Sequence, residues 1–450
     1  GRFADLSYPD APRGDHVDQY HGTSVPDPYR WMNDVDDAQT KEWMAAQERL
    51  TASYFDATGT KAKLRTLIDQ ENVREVAASL IIYRGDYEFK WDAVGDAAYP
   101  GLYRRETGTE DFVTVLESEL STADGSIQVL PEDASISPDG KHVVYARTIQ
   151  GSAFRDMYIR DIEQGYDIDG VVKGTAGINI AWHPNKQGFY YNVLRNLRDF
   201  PPPPREDNLS DGVYWHAFGT PHTEDKLVQA FQGNAVADSP LPIITDDGQY
   251  LLLNHHLFGA GMDGFHVRPL AGGTEFTTLI PDGLGEARFL GNRGQRFYFE
   301  TTIDAPNGRI VAVQPPQTPD RDWEVVVPES EDFLAKQAIM SDEKIFAVYT
   351  SDVKHSVKVF DFEGREIRTL AFPYPVTVVR LQKEPHERFI SIDAGSFLIP
   401  LATYHYKRKE QTLERVWSTP VSDDVSDFEV NQVFYPSKDG TSIPMFIIHR

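Results

Sequence analysis

The stretch PDGKHVVYA at residues 138–146 decides the fold of this chain, because the same arrangement occurs six more times. In each copy a polar turn leads into a run of β-branched or aromatic residues, which is the signal of a β-hairpin. The turns are centred at positions 85, 140, 188, 248, 294, 344 and 387, which are 43 to 60 residues apart. A period of about fifty is typical of one four-stranded blade, so the sequence predicts a seven-bladed β-propeller. The other six copies are RGDYEFKW (84–91), NKQGFYYNV (185–193), DDGQYLLLN (246–254), NRGQRFYFE (292–300), DEKIFAVYT (342–350) and PHERFISI (385–392).

The charge balance argues against two classes of partner. The formal net charge is −25, from 44 Lys and Arg against 69 Asp and Glu. Nucleic acids and anionic membranes are bound largely through basic residues, so neither partner is expected. A soluble, self-repelling surface accounts for this charge. Steering of cationic substrates and adaptation to a salty habitat stay open as alternatives.

The 450 residues contain no cysteine. Disulfides, thiolate metal sites and cysteine nucleophiles are therefore excluded. Cysteine-free chains occur in both cytoplasm and periplasm, so the sequence does not separate these two locations. The first residue is Gly1 rather than Met, which is compatible with a removed signal peptide.

Residues 1–72 lie outside the repeat and are predicted to form an N-terminal helical segment. A proline-braced stretch leads to a helix that Asp36 or Asp37 caps. The spacing of three and four residues predicts that one face of this helix carries apolar side chains. The residues of this apolar face are Trp43, Ala46, Leu50 and Tyr54. A second helix is predicted over residues 61–70.

The sequence predicts two further segments. Residues 73–427 are predicted to form the propeller, interrupted by an insertion at 196–212 whose four prolines cannot lie in a central strand. This insertion is either a plain surface loop or a mobile loop at the mouth of the ring. Residues 428–450 alternate around a turn at Lys438-Asp439-Gly440 and predict a hairpin. We expect that hairpin to begin a further domain that is cut off at residue 450.

The chain contains none of the common motifs of a self-sufficient active site. No G-x-S-x-G nucleophile elbow, H-E-x-x-H zinc motif or P-loop occurs. His255 and His256 are adjacent and would point to opposite faces of a strand, which makes them poor joint metal ligands. The Asp-Gly clusters are predicted to be turns rather than calcium loops. No metal site, cofactor or catalytic residue is therefore expected within these 450 residues.

Both flanks of the repeat resemble the prolyl oligopeptidase family of serine peptidases. The leading match consists of Tyr20-His21-Gly22 and DPYRW at 27–31, and the trailing match is FYPSKDGT at 434–441 followed by IPMF at 443–446. The resemblance covers essentially the whole chain. It implies an N-terminal segment that packs on an α/β-hydrolase domain, with a seven-bladed propeller inserted between them as a cap. Residues 428–450 would then be the first strands of the hydrolase domain.

The resemblance also implies a reaction and a substrate class. The family hydrolyses short peptides on the carboxyl side of proline with a Ser-His-Asp triad, which would lie beyond Arg450. The implied partners are short proline-containing peptides, and the implied state is a monomer. Two alternatives stay open: a related oligopeptidase that cuts after basic residues, and a propeller that binds peptides without cleaving them.

One substrate-binding residue follows from the resemblance. The family places an aromatic side chain of the strand GFYYN (188–192) near the third subsite of the substrate, which assigns this role to Tyr190. The expected residue is phenylalanine, so Tyr190 adds a hydroxyl to an apolar wall. The alternative role for Tyr190 is packing in the core of its blade.

Overall fold

The structure is a computed structural model that describes residues 7–58, 60–71, 80–93, 97, 99–176, 178–195, 209–231, 239–257, 262–315, 323–341, 343–419 and 425–450. The chain divides into two compact units, Gly1–Val73 and Arg74–Arg450. The two long helices lie in the first unit, and the repeated strands lie in the second. Neither of these helices combines the length and the apolar character that a membrane-spanning helix needs.

The first unit consists of one hairpin, a 3₁₀ turn and two helices. These are β1 (Val17–Tyr20), β2 (Thr23–Pro26), the turn Arg30–Asn33, α1 (Ala38–Thr58) and α2 (Thr60–Glu71). Trp31 links the proline-braced segment to α1: its indole N–H donates to the Pro12 carbonyl at 2.9 Å, and its ring meets Trp43 edge-on at 6.1 Å. The helical prediction for this segment is confirmed at both helices.

Asp37, one of the two cap residues that the sequence left open, is the N-cap of helix α1. The Asp37 carboxylate accepts the backbone N–H groups of Gln39 at 2.8 Å and Thr40 at 3.4 Å, as an N-cap residue does. The predicted apolar face is also confirmed, because its four members are half-buried.

In the described part of the second unit, the strands between residues 80 and 419 form seven antiparallel sheets, each built from strands that follow one another along the chain, and the last two strands form a separate two-stranded sheet. The predicted seven-bladed propeller is therefore confirmed. Each of the seven repeated stretches supplies most of the strand that follows its turn, which is the second strand of the blade except in blade 2, where it is the third. Blade 1 contains β3 (Ile82–Arg84), β4 (Tyr87–Asp92), β5 (Gly101–Glu106) and β6 (Val113–Leu116); blade 2 contains β7 (Ile127–Gln128), β8 (Ala134–Ile136), β9 (His142–Ile149), β10 (Arg155–Asp161) and β11 (Tyr166–Thr175). Blade 3 contains β12 (Ile180–Trp182), β13 (Gly188–Val193), β14 (Gly212–Ala217) and β15 (Lys226–Ala230); blade 4 contains β16 (Ser239–Ile244), β17 (Tyr250–Leu257), β18 (Met262–Pro269) and β19 (Thr277–Ile280). Blade 5 contains β20 (Ala287–Arg293), β21 (Arg296–Thr301), β22 (Arg309–Val313) and β23 (Glu324–Val327); blade 6 contains β24 (Phe333–Met340), β25 (Ile345–Ser351), β26 (Lys354–Phe360) and β27 (Glu366–Leu370); blade 7 contains β28 (Thr377–Lys383), β29 (Phe389–Gly395), β30 (Ala402–Lys407) and β31 (Thr412–Ser418).

The Asp-Gly clusters are turns, as predicted, and their side chains close them. Ser137 Oγ donates to Asp139 Oδ1 at 2.7 Å, and Thr245 Oγ1 donates to Asp247 Oδ1 at 2.6 Å. The same turn chemistry thus recurs in blades 2 and 4. Gly140 has φ +70°, and a Cβ there would lie 2.8 Å from the Tyr87 ring, so this turn packs tightly against blade 1.

The apolar core lies between the blades rather than at the centre of the ring. Six buried clusters each join two successive blades, from blades 1 and 2 through to blades 6 and 7. The first strands of neighbouring blades contact each other, as β20 and β24 do, so the first strand of each blade lies innermost.

The seam between blade 7 and blade 1 closes the ring and contains polar contacts beside aromatic rings. The Tyr83 hydroxyl lies 3.1 Å from His405 Nε2, and the His405 ring stacks on Phe389 at 3.8 Å. Arg380 Nη2 donates to the Ile81 carbonyl at 2.8 Å. Side chains of the first and last blades therefore hold the ring closed, while each blade keeps its own strands.

The C-terminal hairpin is present where the sequence predicted it. Strands β32 (Glu429–Pro436) and β33 (Ser442–His449) pair antiparallel, with Val433 opposite Met445 and Tyr435 opposite Ile443. The structure does not test most of the predicted insertion at 196–212, because residues 196–208 lie outside the described part of the chain. The predicted boundary near residue 72 also lies at the edge of such a segment.

Candidate functional site

The two faces of the ring differ in what they carry. The turns between first and second strands, among them those at Gly85 and Gly140, lie at one face, and antiparallel pairing puts the ends of the fourth strands at the other. We call the second face the exit face, because β31 ends there at Ser418. The exit face also carries the loops between second and third strands, such as 352–353 and 396–401.

A charged cleft of about 310 Å³ opens at the exit face between blades 4, 5 and 6. Asp263 lies at its blade 4 side and is almost completely buried. Its two carboxylate oxygens accept bonds from the Ala287 N–H at 2.9 Å and from Asn254 Nδ2 at 3.3 Å, and His256 Nδ1 lies 2.7 Å away. Asp263 therefore ties the start of the innermost strand of blade 5 to blade 4.

Glu300 lies at the blade 5 side of the same cleft, with 4% of its surface exposed. Arg288 stands opposite it in the β20–β21 register and donates to Glu300 Oε2 at 2.5 Å and to the Ala338 carbonyl of blade 6 at 2.7 Å. The second carboxylate oxygen, Glu300 Oε1, makes no hydrogen bond with the described residues. The cleft thus offers a buried acceptor beside a half-exposed guanidinium, which suits a polar ligand such as a peptide backbone.

A second groove, of about 350 Å³, separates the C-terminal hairpin from blades 6 and 7 at the exit face. The hairpin is attached at both sides of this groove. Gln432 Nε2 donates to the Asp352 carbonyl at 2.6 Å, and the Phe446 ring lies 5.0 Å from that of Phe397. The hairpin therefore packs on the loops of the exit face rather than standing free of the ring.

Tyr190 lies on β13, with 8% of its surface exposed. Its ring packs against Trp215 at 5.0 Å and faces His183 at 6.2 Å, within an apolar cluster that joins blades 3 and 4. Burial raises the pKa of the Tyr190 hydroxyl, and the nearby Arg268 guanidinium opposes that rise. Little of this side chain is open to a ligand, and Tyr190 as a substrate-binding residue stays a prediction.

One buried histidine has a carboxylate partner like that of a hydrolase triad. His216 Nδ1 lies 2.9 Å from Asp225 Oδ1, and its exposed fraction is 1%. Its Nε2, however, faces Asp169 Oδ2 at 3.4 Å and not a hydroxyl group. His216 is therefore held between two carboxylates as a structural element of blades 2 and 3, and this arrangement offers no nucleophile.

The sequence did not predict the charged cleft. Its acids and bases come from three blades, and their partners depend on strand register. The feature of the sequence that belongs to this cleft is the Arg288–Glu300 pair, whose members stand directly opposite each other across a short hairpin turn. Identifying that pair from sequence would have required the exact strand register.

Comparison with known proteins assigns the repeat to a family. Residues 9–419 match the family described as "Prolyl oligopeptidase, N-terminal beta-propeller domain". The chain is 27% identical over 491 residues to prolyl oligopeptidase A of Galerina marginata, covering 99% of this chain and 64% of that protein. It is 25% identical over 458 residues to the prolyl endopeptidase of Elizabethkingia meningoseptica, covering 99% and 62%.

A solved structure shares the fold. Prolyl oligopeptidase B from Galerina marginata, bound to a 35mer hydrolysis and macrocyclization substrate, superposes with a TM-score of 0.77 at 24% identity. The alignment covers 99% of this chain and 65% of that one. This chain therefore spans somewhat less than two thirds of the length of the proteins it matches.

Proposed function

This chain belongs to the prolyl oligopeptidase family, and from that membership we propose that it is the propeller-bearing part of a serine endopeptidase that cleaves short peptides after proline. The observation that carries the proposal is the family match over residues 9–419. The substrates we propose are short proline-containing peptides, and the protein is proposed to act as a monomer.

We propose the following domain assignment. Residues 1–72 form a helical segment that packs on the catalytic domain, residues 73–427 form the propeller, and residues 428–450 open an α/β-hydrolase domain. The hairpin supports this assignment because Phe434, Tyr435 and Ile448 expose roughly half of their surface. Exposed apolar side chains of this kind are typical of strands that another part of a domain covers. Helix α2 supports it in the same way, since Leu64, Leu67 and Ile68 lie at helical spacing and are exposed.

The proposed chemistry is acyl transfer by a Ser-His-Asp triad in the part of the family's length that this chain does not span. Serine attacks the carbonyl carbon after proline, histidine takes the hydroxyl proton and returns it to the leaving amine, and aspartate orients the histidine. The propeller would limit substrates by size, because a folded protein cannot pass a closed ring. It would also restrict water around the reacting groups.

The test uses the full polypeptide and a succinyl-Gly-Pro-amide reporter. We expect hydrolysis after proline that a serine-directed phosphonate abolishes. The isolated 450-residue chain, which has no G-x-S-x-G motif, serves as the inactive control. If the full polypeptide left the reporter intact, or cleaved an Arg or Lys reporter faster, the proline assignment would be wrong.

Macrocyclisation is a second candidate, because a structure that this chain resembles was solved with a hydrolysis and macrocyclization substrate. A linear peptide with an internal proline distinguishes the two outcomes by mass. The cyclic product lacks one water relative to the hydrolysed fragment. We propose hydrolysis as the main reaction, and a dominant cyclic product would reverse that order.

A further inference from the structure

Blade 4 brings two histidines and an aspartate together on one side of its sheet. His255 lies on β17, His266 on β18 and Asp282 on the connection after β19. His266 Nε2 is 3.1 Å from Asp282 Oδ1, and His255 Nδ1 is 3.5 Å from Asp282 Oδ2. The two imidazole rings lie 4.5 Å apart, and the potential ligand atoms of all three residues lie within 4.8 Å of one another.

Strand register explains why these two histidines share a face. His266 stands opposite Leu253, and His255 stands opposite Gly264, so the histidines are diagonal neighbours on one side of the sheet. His256, next in sequence, points to the other side and pairs with Asp263. The neighbour of His255 on the same face is therefore a residue of the next strand and not His256.

Gly264 makes room for the carboxylate. A Cβ at this position would lie 1.7 Å from Asp282 Oδ1 and 2.9 Å from Asp282 Cα. Any other residue would push Asp282 away from the two histidines. The absence of a side chain at Gly264 therefore allows the His-Asp-His arrangement.

A fourth residue orients one of the histidines. Thr278 stands opposite His266 in the β18–β19 register, and its Oγ1 lies 3.1 Å from His266 Nδ1. A hydrogen bond at Nδ1 leaves Nε2, the nitrogen nearest Asp282, to act as a ligand. Metal-bound histidines are usually held in this way by an outer partner.

We propose that His255, His266 and Asp282 bind a divalent transition-metal ion of the zinc type, with water in the remaining position. Bonds of about 2.0–2.2 Å to such an ion place ligand atoms roughly 3.3–3.5 Å apart, close to both nitrogen–oxygen separations here. Two neutral imidazoles and one carboxylate form a ligand set that suits zinc and its neighbours in the first row. The histidine side chains are 19% exposed and Asp282 is 48% exposed, so an ion can reach the site from solvent.

The experiment titrates Zn²⁺ into the full polypeptide, prepared without a histidine tag and freed of metal, against a chromophoric chelator. Co²⁺ serves as a second probe, because its visible absorption reports coordination. We expect one saturable site per chain. Variants H255A, H266A and D282N should each weaken it by more than the roughly 10- to 100-fold loss typical of outer-shell partners, and T278V should fall within that range.

The matched control is H256A, which removes the neighbouring histidine on the opposite side of the strand. It should bind Zn²⁺ as the unaltered protein does. G264A is a second variant that keeps all three ligands but displaces Asp282, and it should weaken binding as D282N does. Circular dichroism and thermal unfolding establish that each variant is folded. The proposal is overturned if no one-to-one site is found, or if H256A loses binding as H266A does.

Discussion

At the scale of single residues, two arginines perform the same task in different blades. Arg288 and Arg380 both lie on an innermost strand and stand opposite a buried carboxylate, Glu300 and Asp393 respectively. Each guanidinium also donates to a backbone carbonyl of the next blade. The ion pair within one blade thus holds the arginine in place to join two blades.

Removing only one partner of the Arg380–Asp393 pair should lower the free energy of unfolding strongly. Asp393 is 1% exposed, and R380M would leave it with Thr403 as its remaining side-chain donor. We expect a loss of about 3–5 kcal/mol in the free energy of unfolding, measured by urea denaturation. The double variant R380M/D393L should recover most of that loss, because no unpaired charge is then buried.

The control for this prediction is a pair of the same type whose arginine is exposed. Arg365 lies 3.2 Å from Asp361 and is mostly exposed to solvent. R365Q should cost less than about 1 kcal/mol, as surface ion pairs do. Equal losses for R365Q and R380M would contradict the role we give to the seam.

Tyr190 supplies a prediction about substrate binding. If its ring edge contacts the third residue of a bound peptide, Y190A should raise KM about tenfold for longer proline peptides and much less for minimal ones. Y190F keeps the ring and should behave nearly as the unaltered enzyme. Equal increases in KM for long and minimal peptides would instead assign Tyr190 to the packing between blades 3 and 4.

At the scale of elements, one of two adjacent aspartates caps helix α1. Asp36 and Asp37 are adjacent and chemically identical, yet only Asp37 directs its carboxylate at free N–H groups of the first turn. Asp36 instead forms an exposed ion pair with Lys41 at 2.9 Å. The backbone geometry at the end of the preceding turn makes this choice, and one-dimensional spacing does not contain it.

The two aspartates allow a matched test of the cap. D37A should lower the free energy of unfolding of the N-terminal unit by about 1 kcal/mol, because two N–H groups lose their acceptor. D36A should change it little. Urea denaturation followed by far-ultraviolet circular dichroism at the helical bands reports this unit, because the two long helices lie in it. A larger effect of D36A would mean that the other aspartate caps the helix.

At the scale of the whole propeller, the seam between blades 7 and 1 joins the first and last blades of the ring. It combines aromatic rings with buried polar groups, among them Ser391, Asp393 and Thr403. Burial at this seam lowers the pKa of His405 from 6.5 to about 4, so the imidazole is neutral in the folded protein. The charged groups that act on it are Asp393, Lys407, Glu384 and Glu414.

The seam should therefore be sensitive to acid. Between pH 6.5 and about 4 the unfolded chain binds a proton at His405 that the folded protein does not, so the free energy of unfolding falls as pH falls through this window. We expect a loss of about 2 kcal/mol, less than the full shift implies, because water reaches part of the ring. Above pH 6.5 this contribution is constant.

Two variants isolate the histidine in thermal unfolding scans across pH. H405Q should flatten the acid side of the stability curve. Y83F removes the 3.1 Å contact to His405 but keeps the imidazole, so it should lower stability at every pH and retain the acid dependence. An unchanged acid side in H405Q would assign that dependence to other groups.

Local patterns in the chain were enough to predict the repeated strand of each blade with its turn, the C-terminal hairpin and the apolar face of α1. These features depend on neighbours within a few residues, where period-two alternation, turn chemistry and helical spacing act directly. The order of the domains that the family resemblance implies stays a prediction. Neither source identified the cleft between blades 4 and 6 or the polar seam.

Those features depend on which strands meet and in which register, and only the folded chain contains that information. Tyr83 and His405 are 322 residues apart, yet they close the ring. His255 acquires His266 and Asp282 because one register sets the histidines diagonally and Gly264 leaves a space. Amino-acid order specifies each strand and turn through local energetics, whereas contacts between strands and blades arise from packing, which brings distant residues within bonding distance.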